Sequence, residues 1–354
     1  MITLGVDAHK KMHVAVAVDE AGHELGEWSG TNSKKGWRSV LVWSDSFGPE
    51  RQWGIEGAWN YGRGLAQQLV TSGETVYEIN TRWTALGRRR AKKLDKTDRL
   101  DARAVARFVR GEAPALPVVY ADDDTAVLDL LCVEREALLV EAGRLRNQLH
   151  ALLMQVDPEY GVRLPKLDSV AGIKATTNYP LPKADGLQRR RASGVRRLAV
   201  RLSLTLLHAR DLAGQIEELA ALRFAPLTRL CGISLLTAGT LAGILGPGRR
   251  FGTDAQLAAY AGVAPLEASS AGRVRHRLNR GGNRRLNAVL YRIALTQAHH
   301  SQEARAYLDR RTAEGKTRRE AVRALKRYIV RAVWRLWQQC EPAMELPSAI
   351  VAAA

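Results

Sequence analysis

The sequence predicts a mixed α/β domain at the N-terminus, then a long helical arm and a mainly α-helical C-terminal domain. Three observations support this prediction. In the N-terminal segment, short runs that alternate apolar and polar residues are separated by turn residues and helical patterns. From about Asp124, apolar residues recur at helical spacing over about nine turns. After Pro226, helical patterns are interrupted by glycine-rich turns, so we expect domains at residues 1–118, 119–225 and 226–345.

The N-terminal elements follow in the order of three strands, a helix, a strand, a helix, a strand and a long helix. The segment ITLGVDAHKKMHVAVAVDEAGHELGEWSG alternates in the manner of strands, with a tight turn predicted at Ala21 and Gly22. A helix is predicted in NSKKGWRSVLVWSDSFG, with Val40 toward the core, and a short buried strand in RQWGIEG. The segment NYGRGLAQQLVTSG then predicts a helix that ends at Gly73, and TVYEINT predicts a further strand.

Two long helical patterns predict the arm. The first is TAVLDLLCVEREALLVEAGRLRNQLHALLMQV, and the second is LQRRRASGVRRLAVRLSLTLLHARDLAGQIEELAALR. Both exceed the length of an ordinary globular helix, which indicates a coiled-coil or helical-hairpin arm. Between them, the proline-containing stretch from Asp157 to about Asp185 predicts a linker or irregular crossing.

The composition predicts a partner of opposite charge. Lysine and arginine number 54 and aspartate and glutamate 36, which gives a formal net charge of +18. An excess of this size points to a polyanion, most simply nucleic acid. No apolar run approaches the ~20 residues that a membrane span needs, and no secretory signal is expected at the N-terminus. The cysteines, Cys132, Cys231 and Cys340, are widely separated, which argues against a zinc site or a disulfide framework and fits an intracellular protein.

A small acidic cluster interrupts this basic chain in the segment KLDKTDRLDARAVARFV. Thr97 can cap a helix whose first turn contains Asp98, and Asp101 lies on the same face. Paired carboxylates can form half of a divalent-cation site, although acidic residues also complement a helix dipole. Asp95 lies one turn too early and is interpreted as a solvated neighbour.

Two further acidic residues favour the cation site. Asp7 and Glu56 each lie at the end of an apolar strand, where a solvated surface charge is poorly placed. In a ribonuclease-H type of fold, acids at these strand ends lie beside the helix that carries Asp98 and Asp101. Four carboxylates can hold two Mg²⁺ ions about 4 Å apart, which is suited to phosphodiester chemistry. We therefore predict that these four residues form a metal-dependent catalytic site.

A basic, glycine-containing stretch near the C-terminus predicts phosphate binding. Guanidinium groups suit bidentate phosphate contacts, and glycines such as Gly281 and Gly282 let a backbone approach nucleic acid closely. The expected nucleic-acid-binding residues are Arg273, Arg275, Arg277, Arg280, Arg284 and Arg285. Ser269 and Ser270 precede this stretch, but a loop serine is most often a turn residue, and no Ser-His-Asp arrangement lies nearby in the sequence.

Five motifs in order give a resemblance to a known family. GVDAHK, GIEGAWNYG, KTDRLDARAVARF, YAGVAPLEASS and NRGGNRRLN resemble the motifs of the Piv-type insertion-sequence transposases (insertion-sequence family one-ten). Members carry an N-terminal RuvC-like, RNase H-like domain with a DEDD tetrad, a coiled-coil arm and a C-terminal domain with a serine. Mapped by motif, the tetrad falls on Asp7, Glu56, Asp98 and Asp101, and the serine on Ser270.

The resemblance implies site-specific DNA recombination. The serine would attack a phosphodiester to give a phosphoserine–DNA intermediate, assisted by the tetrad with Mg²⁺ (or Mn²⁺). It also implies a structured guide RNA, donor and target DNA, a homo-oligomer from dimer to tetramer, no membrane, and action on the nucleoid of a bacterial cytoplasm. The family often has glycine directly after its serine, whereas here Ala271 follows Ser270, so Ser269 remains a second candidate nucleophile.

Two other functions are compatible with the residues. One is a metal-dependent nuclease of the Holliday-junction-resolving type, in which water attacks and no covalent intermediate forms. The other is a nucleic-acid-binding protein whose acidic residues are structural. The four acids disfavour the second alternative, and the paired serines before the basic stretch favour the recombinase over the nuclease.

Overall fold

The structure is a computed structural model that describes residues 1–80, 97–180, 186–246, 250–264, 266–267, 276–277 and 281–340. The chain forms two compact units. The first contains Met1–Asp123, Pro226–Ile233 and the described residues from Leu245 onward, and the second contains Asp124–Ala225 and Ser234–Ile244. None of the described helices is both long and apolar enough to span a bilayer.

A five-stranded mixed sheet forms the core of the first unit. Its strands are β1 (Ile2–Ala8), β2 (Met12–Val18), β3 (Glu24–Thr31), β4 (Arg51–Glu56) and β5 (Thr75–Ile79). The order across the sheet is β3-β2-β1-β4-β5, with β2 antiparallel to β1 and β3, and β4 parallel to β1 and β5. The turn predicted between β2 and β3 is present, and Gly22 adopts φ +85° there. The predicted RNase H-like arrangement is confirmed.

Helices cover both faces of this sheet. They are α1 (Lys34–Asp45), α2 (Arg63–Thr71) and α3 (Asp98–Glu112). Side chains alternate along a strand, so Leu4 and Val6 face the core that α1 and α2 cover. Gly5 points to the opposite face, where a Cβ would lie 2.2 Å from the Ala102 carbonyl oxygen. The missing side chain thus allows α3 to lie directly on β1.

Two long antiparallel helices dominate the second unit and confirm the predicted arm. They are α4 (Asp124–Val156) and α7 (Leu187–Arg223). At one end the Arg223 guanidinium pairs with Asp124, and farther along Leu152 of α4 contacts Gly194 of α7. A shorter helix, α8 (Leu235–Leu245), follows α7 in the chain, and all of it but Leu245 belongs to this unit.

The crossing between the arm helices is more ordered than the sequence suggested. The stretch predicted as a linker or irregular crossing contains two short helices, α5 (Tyr160–Arg163) and α6 (Val170–Thr177). Ser169 caps α6 by accepting a hydrogen bond from the Gly172 amide, and Ile173 is buried in the core of the arm. The prolines lie outside these helices and leave both of them intact.

The C-terminal part of the first unit is mainly helical, as predicted. Its helices are α9 (Asp254–Tyr260), α10 (Arg284–His300), α11 (Gln302–Ala313) and α12 (Arg318–Trp337). A two-stranded antiparallel hairpin, β6 (Leu266–Glu267) and β7 (His276–Arg277), lies between α9 and α10 in the chain. The buried Arg250 guanidinium donates to Glu78 of β5 at 2.6 Å, which ties this part to the sheet.

Candidate active site

Asp7 and Glu56 lie side by side on neighbouring parallel strands. The register of β1 and β4 pairs their Cα positions directly. Gly5 and Gly54, two residues earlier on each strand, both face α3, because a Cβ on either would meet atoms of that helix. The period of two along a strand therefore directs both carboxylates to the α3 side of the sheet. The parallel pairing thus places two acids at one end of one face.

The first turn of α3 brings the other two acids to the same place. Thr97 caps the helix by accepting a hydrogen bond from the Leu100 amide at 3.3 Å, as the sequence predicted. Asp101 is only 4% exposed, whereas the Asp98 side chain is about half exposed. Asp95 lies outside the described residues. The four sequence-predicted carboxylates converge at this end of the sheet, with one member open to solvent.

The electrostatics of Asp7 reflect this crowding. Burial is the main cause that raises the pKa of the Asp7 carboxyl to about 6. His9 opposes this effect, while Glu56, Asp101 and Asp98 raise the pKa further through like-charge repulsion. A buried carboxylate among other carboxylates is costly to ionise unless a cation compensates its charge.

His9 joins the cluster although the sequence analysis did not select it. Its Nε2 lies 3.2 Å from Asp7 Oδ2 and 3.3 Å from Asp98 Oδ1, between the strand acid and the helix acid. The available signal was its position two residues after Asp7, which continues the strand alternation to the same face.

The side chains at this end of the sheet fit a divalent cation. Asp7, His9 and Asp98 each offer a ligand atom, and these atoms all lie within 4.8 Å of one another. Within the described part of the chain, no other group of three or more potential ligands of this kind was found. Carboxylate oxygens are the preferred ligands of hard cations, and an imidazole nitrogen is accepted by transition metals.

The second predicted part of the site, the serine and the arginines, is described only at its edges. Outside the described residues lie Ser269, Ser270, Arg273, Arg275 and Arg280. Arg277 belongs to β7. At the start of α10, Arg284 is exposed and Arg285 is partly buried.

The base of the β6–β7 hairpin is tightly closed. A Cβ on Gly282 would lie 2.2 Å from the Gly262 backbone nitrogen, so the two backbones are in direct contact. The Asn283 amide donates to the Tyr260 carbonyl at 2.7 Å, and the Asn283 side chain caps α10 by accepting from the Leu286 amide. The residues that flank the segment with both candidate serines, Gly262 and Gly282, therefore lie against each other.

A buried lysine supports this closure. Lys326 Nζ donates to Asn287 Oδ1 at 2.8 Å, and Asn287 Nδ2 donates to the Ala261 carbonyl, also at 2.8 Å. Burial lowers the pKa of the Lys326 ammonium group. The sequence analysis missed Asn287 and Lys326. Each lies in the pattern of an ordinary amphipathic helix, and its hydrogen-bond partner is distant in the chain.

Comparison with known proteins matches both parts of the chain. A family model of DEDD, IS110-type proteins, described as "Transposase", matches residues 4–158. A second, described as "Transposase IS116/IS110/IS902 family", matches residues 225–309. The first span contains the four carboxylates and His9, and the second contains the paired serines and the basic stretch.

Two relatives come from insertion elements. The "Insertion element IS110 uncharacterized 43.6 kDa protein" of Streptomyces coelicolor is 31% identical, over 66% of this chain and 68% of the relative. The "Insertion element IS116 uncharacterized 44.8 kDa protein" of Streptomyces clavuligerus is 24% identical, over 94% of each chain. A solved structure, "T. thermophilus RuvC in complex with Holliday junction substrate", aligns over 32% of this chain and 93% of its own at 16% identity. Its TM-score is 0.25.

The fold and the family matches define a class of enzyme, the transposases, which cut DNA and transfer its strands. Within that class, the chain belongs to the IS110 family.

Proposed function

We propose that this transposase exchanges DNA strands through a covalent phosphoserine intermediate. Ser270 is the proposed nucleophile, and Asp7, Glu56, Asp98 and Asp101 are the proposed catalytic carboxylates. The convergence of the four carboxylates at one end of the sheet is the observation that carries this proposal. The family's divalent-metal dependence is consistent with it, with Mg²⁺ or Mn²⁺ as the cation.

The proposed chemistry conserves the number of phosphodiester bonds. The Ser270 oxygen attacks phosphorus, one P–O bond to the neighbouring nucleoside breaks, and the serine proton leaves while the released DNA hydroxyl gains one. A DNA hydroxyl of the other partner then attacks the serine-linked phosphorus and releases the serine. Bound divalent cations would supply positive charge that stabilises the attacking and leaving oxygens.

The residues of the chain have separate proposed tasks in this reaction. Asp7 and Glu56, fixed by the strand register, are rigid ligands, whereas the exposed Asp98 faces the side from which DNA arrives. The contact between Gly262 and Gly282 fixes the two ends of the segment that contains Ser270. The arginines of the basic stretch neutralise the phosphates on either side of the reacting group.

We further propose that sequence choice is delegated to a structured RNA that pairs with donor and target DNA. The net charge of +18 suits a protein that binds two polyanions, and it supports this proposal. The active form is proposed to be a homo-oligomer, from dimer to tetramer, on the nucleoid of a bacterial cytoplasm.

The test is detection of a protein–DNA covalent species. The protein, the RNA transcribed from its flanking element, and end-labelled donor and target DNA are incubated with Mg²⁺, denatured and separated by gel electrophoresis. We expect a labelled protein adduct in the wild type that is absent in Ser270→Ala and without metal. Ser203→Ala, an exposed serine on α7, is the matched control and should leave the adduct intact.

Other outcomes contradict particular parts of the proposal. An adduct lost in Ser269→Ala instead of Ser270→Ala would move the nucleophile by one residue. Cleaved DNA without any adduct would favour the metal-dependent nuclease with water as the nucleophile. Cleavage that survives Asp98→Ala and Asp101→Ala would remove the carboxylates from the catalytic site.

A further inference from the structure

We propose that His9 is a nitrogen ligand of a cation in the carboxylate cluster, and that it makes this site favour Mn²⁺ over Mg²⁺. This inference deepens the proposed function, because it presupposes that the carboxylates bind a divalent cation. It adds a residue outside the DEDD tetrad and a metal preference that the four carboxylates alone do not imply.

The distances around His9 suit one coordination sphere. In an octahedral site with ligand distances of about 2.1 Å, neighbouring ligand atoms lie about 3.0 Å apart. His9 Nε2 lies 3.2 Å from Asp7 Oδ2 and 3.3 Å from Asp98 Oδ1. All three atoms lie within 4.8 Å of one another. Small adjustments therefore suffice for them to share one ion.

The backbone holds His9 in this position. It directly follows β1, and its amide donates to the Met12 carbonyl at 3.0 Å across the short connection to β2. Asp7, two residues earlier, is fixed by the sheet on both sides. The imidazole is about half exposed, so one side of the cluster remains open to water or to a DNA phosphate.

The ligand types decide which cation fits best. Mg²⁺ prefers oxygen ligands, retains its waters and is rarely held by imidazole. Mn²⁺ has a similar preference for octahedral carboxylate sites but also accepts a nitrogen ligand. Two carboxylates joined by one imidazole therefore favour Mn²⁺, whereas a site of four carboxylates would accept either ion. The competing interpretation is that His9 only donates a hydrogen bond to Asp7 and Asp98.

Electron paramagnetic resonance of bound Mn²⁺ separates the two interpretations. Electron spin-echo measurements on the full-length protein with Mn²⁺ distinguish the strong ¹⁴N coupling of a coordinated nitrogen from the weak coupling of a nitrogen that is only hydrogen-bonded to a ligand. We expect ¹⁴N modulation in the wild type that is lost in His9→Gln. The matched control is His23→Gln, an exposed histidine that also contacts an aspartate, Asp19, and it should leave the modulation unchanged.

Titration calorimetry with Mn²⁺ alone and Mg²⁺ alone gives the second readout. His9→Gln should weaken Mn²⁺ binding by about tenfold or more and reduce the preference for Mn²⁺ over Mg²⁺. Circular dichroism should show the same secondary structure in both proteins, since residue 9 lies at the surface end of a strand.

Each failure has a distinct signature. Mn²⁺ that binds the wild type without ¹⁴N modulation, or with modulation that persists in His9→Gln, overturns the role of His9 and leaves the carboxylate site standing. A wild type that binds neither cation, with no difference from Asp98→Asn, overturns the carboxylate site and the His9 inference with it.

Discussion

At the scale of single residues, His13 shows how the sheet constrains ionisable groups near the candidate site. It lies on β2, pairs in register with Ala8 of β1, and is fully buried. Burial lowers the pKa of its imidazole below the ordinary value. In the unfolded chain a histidine titrates near pH ~6.5, so the unfolded state gains a proton first as the pH falls.

The sign of this shift predicts acid sensitivity. His13 favours the folded state above about pH 6.5, and this contribution is lost as the pH falls through its unfolded-state pKa. We expect the free energy of unfolding to fall less between pH 7.5 and 5.5 in His13→Gln than in the wild type. The difference should be about 1 kcal/mol for each unit by which the pKa of His13 is lower in the folded than in the unfolded state. Urea denaturation in EDTA at several pH values measures this difference.

The same two proteins provide the control for that experiment. A control that does not depend on His23 comes from the alkaline range: between pH 8 and 9 the imidazole of the unfolded chain is already neutral, so His13→Gln and the wild type should show the same pH slope there. Equal slopes in His13→Gln and the wild type between pH 7.5 and 5.5 as well would show that His13 is protonated equally in both states.

At the scale of secondary-structure elements, the close contact between β1 and α3 assembles the acidic cluster. Gly5 permits this contact, since a Cβ there would overlap Ala102 and Ala106 of the helix backbone. The same contact sets how far Asp98 and Asp101 lie from Asp7. Gly5, which has no side chain to bind a cation, therefore controls the spacing of the candidate ligands.

Substitution of this glycine should affect both folding and metal binding. We expect Gly5→Ala to lower the free energy of unfolding by about 3 kcal/mol, because backbone atoms on both sides must move. Mn²⁺ affinity should fall as well, since α3 shifts away from β1. Urea denaturation and titration calorimetry measure the two effects.

Gly111 provides the matched control on the same helix. A Cβ at Gly111 meets nothing within 4 Å, so Gly111→Ala should be neutral or stabilise by up to about 1 kcal/mol. If Gly5→Ala behaves like Gly111→Ala in both measurements, the close approach does not set the geometry of the cluster.

Prediction from sequence succeeded where the determinants are local. The Thr97 cap, the strand that carries Asp7 and the two arm helices follow from capping residues and hydrophobic period, which act within a few residues. The two short helices after Asp157 were not predicted, because prolines that flank short helices and prolines in an irregular linker form the same sequence pattern. The contact of Gly262 with Gly282 depends on segments distant in the chain, which no local pattern encodes.

At the scale of the whole molecule, acidic and basic side chains are concentrated in different places. The chain carries a formal charge of +18, yet four acids converge at one end of the sheet. Arg284 and Arg285 lie in the first turn of α10, where the helix dipole disfavours positive charge and no acidic residue is present. We propose that Arg284, the exposed one of the two, contacts a DNA phosphate.

This distribution predicts strongly salt-dependent DNA binding. The logarithm of the association constant should fall linearly with the logarithm of salt concentration. Arg284→Gln should reduce the magnitude of the slope by about one, as expected for one lost phosphate contact. Fluorescence anisotropy with a labelled duplex, recorded over a range of salt concentrations, measures both slopes.

Arg163 is a suitable control for the salt experiment. It already pairs with Asp157 and Glu159 in the crossing of the arm, so Arg163→Gln should leave the slope unchanged. A slope that is unchanged in Arg284→Gln as well would exclude this arginine from phosphate contact.

The ion pair between Asp124 and Arg223 has a consequence for how such proteins diversify. The pair joins the first residue of α4 to the last residue of α7. Equal numbers of helical turns can therefore be added to or removed from both helices without displacing these two joined ends. Insertions and deletions in the distal arm are therefore far less disruptive than any length change in β1 or β4, where a one-residue slip reverses every side chain. The arm is the part of the gene in which related elements can vary in length and acquire new partners while the carboxylate cluster stays unchanged.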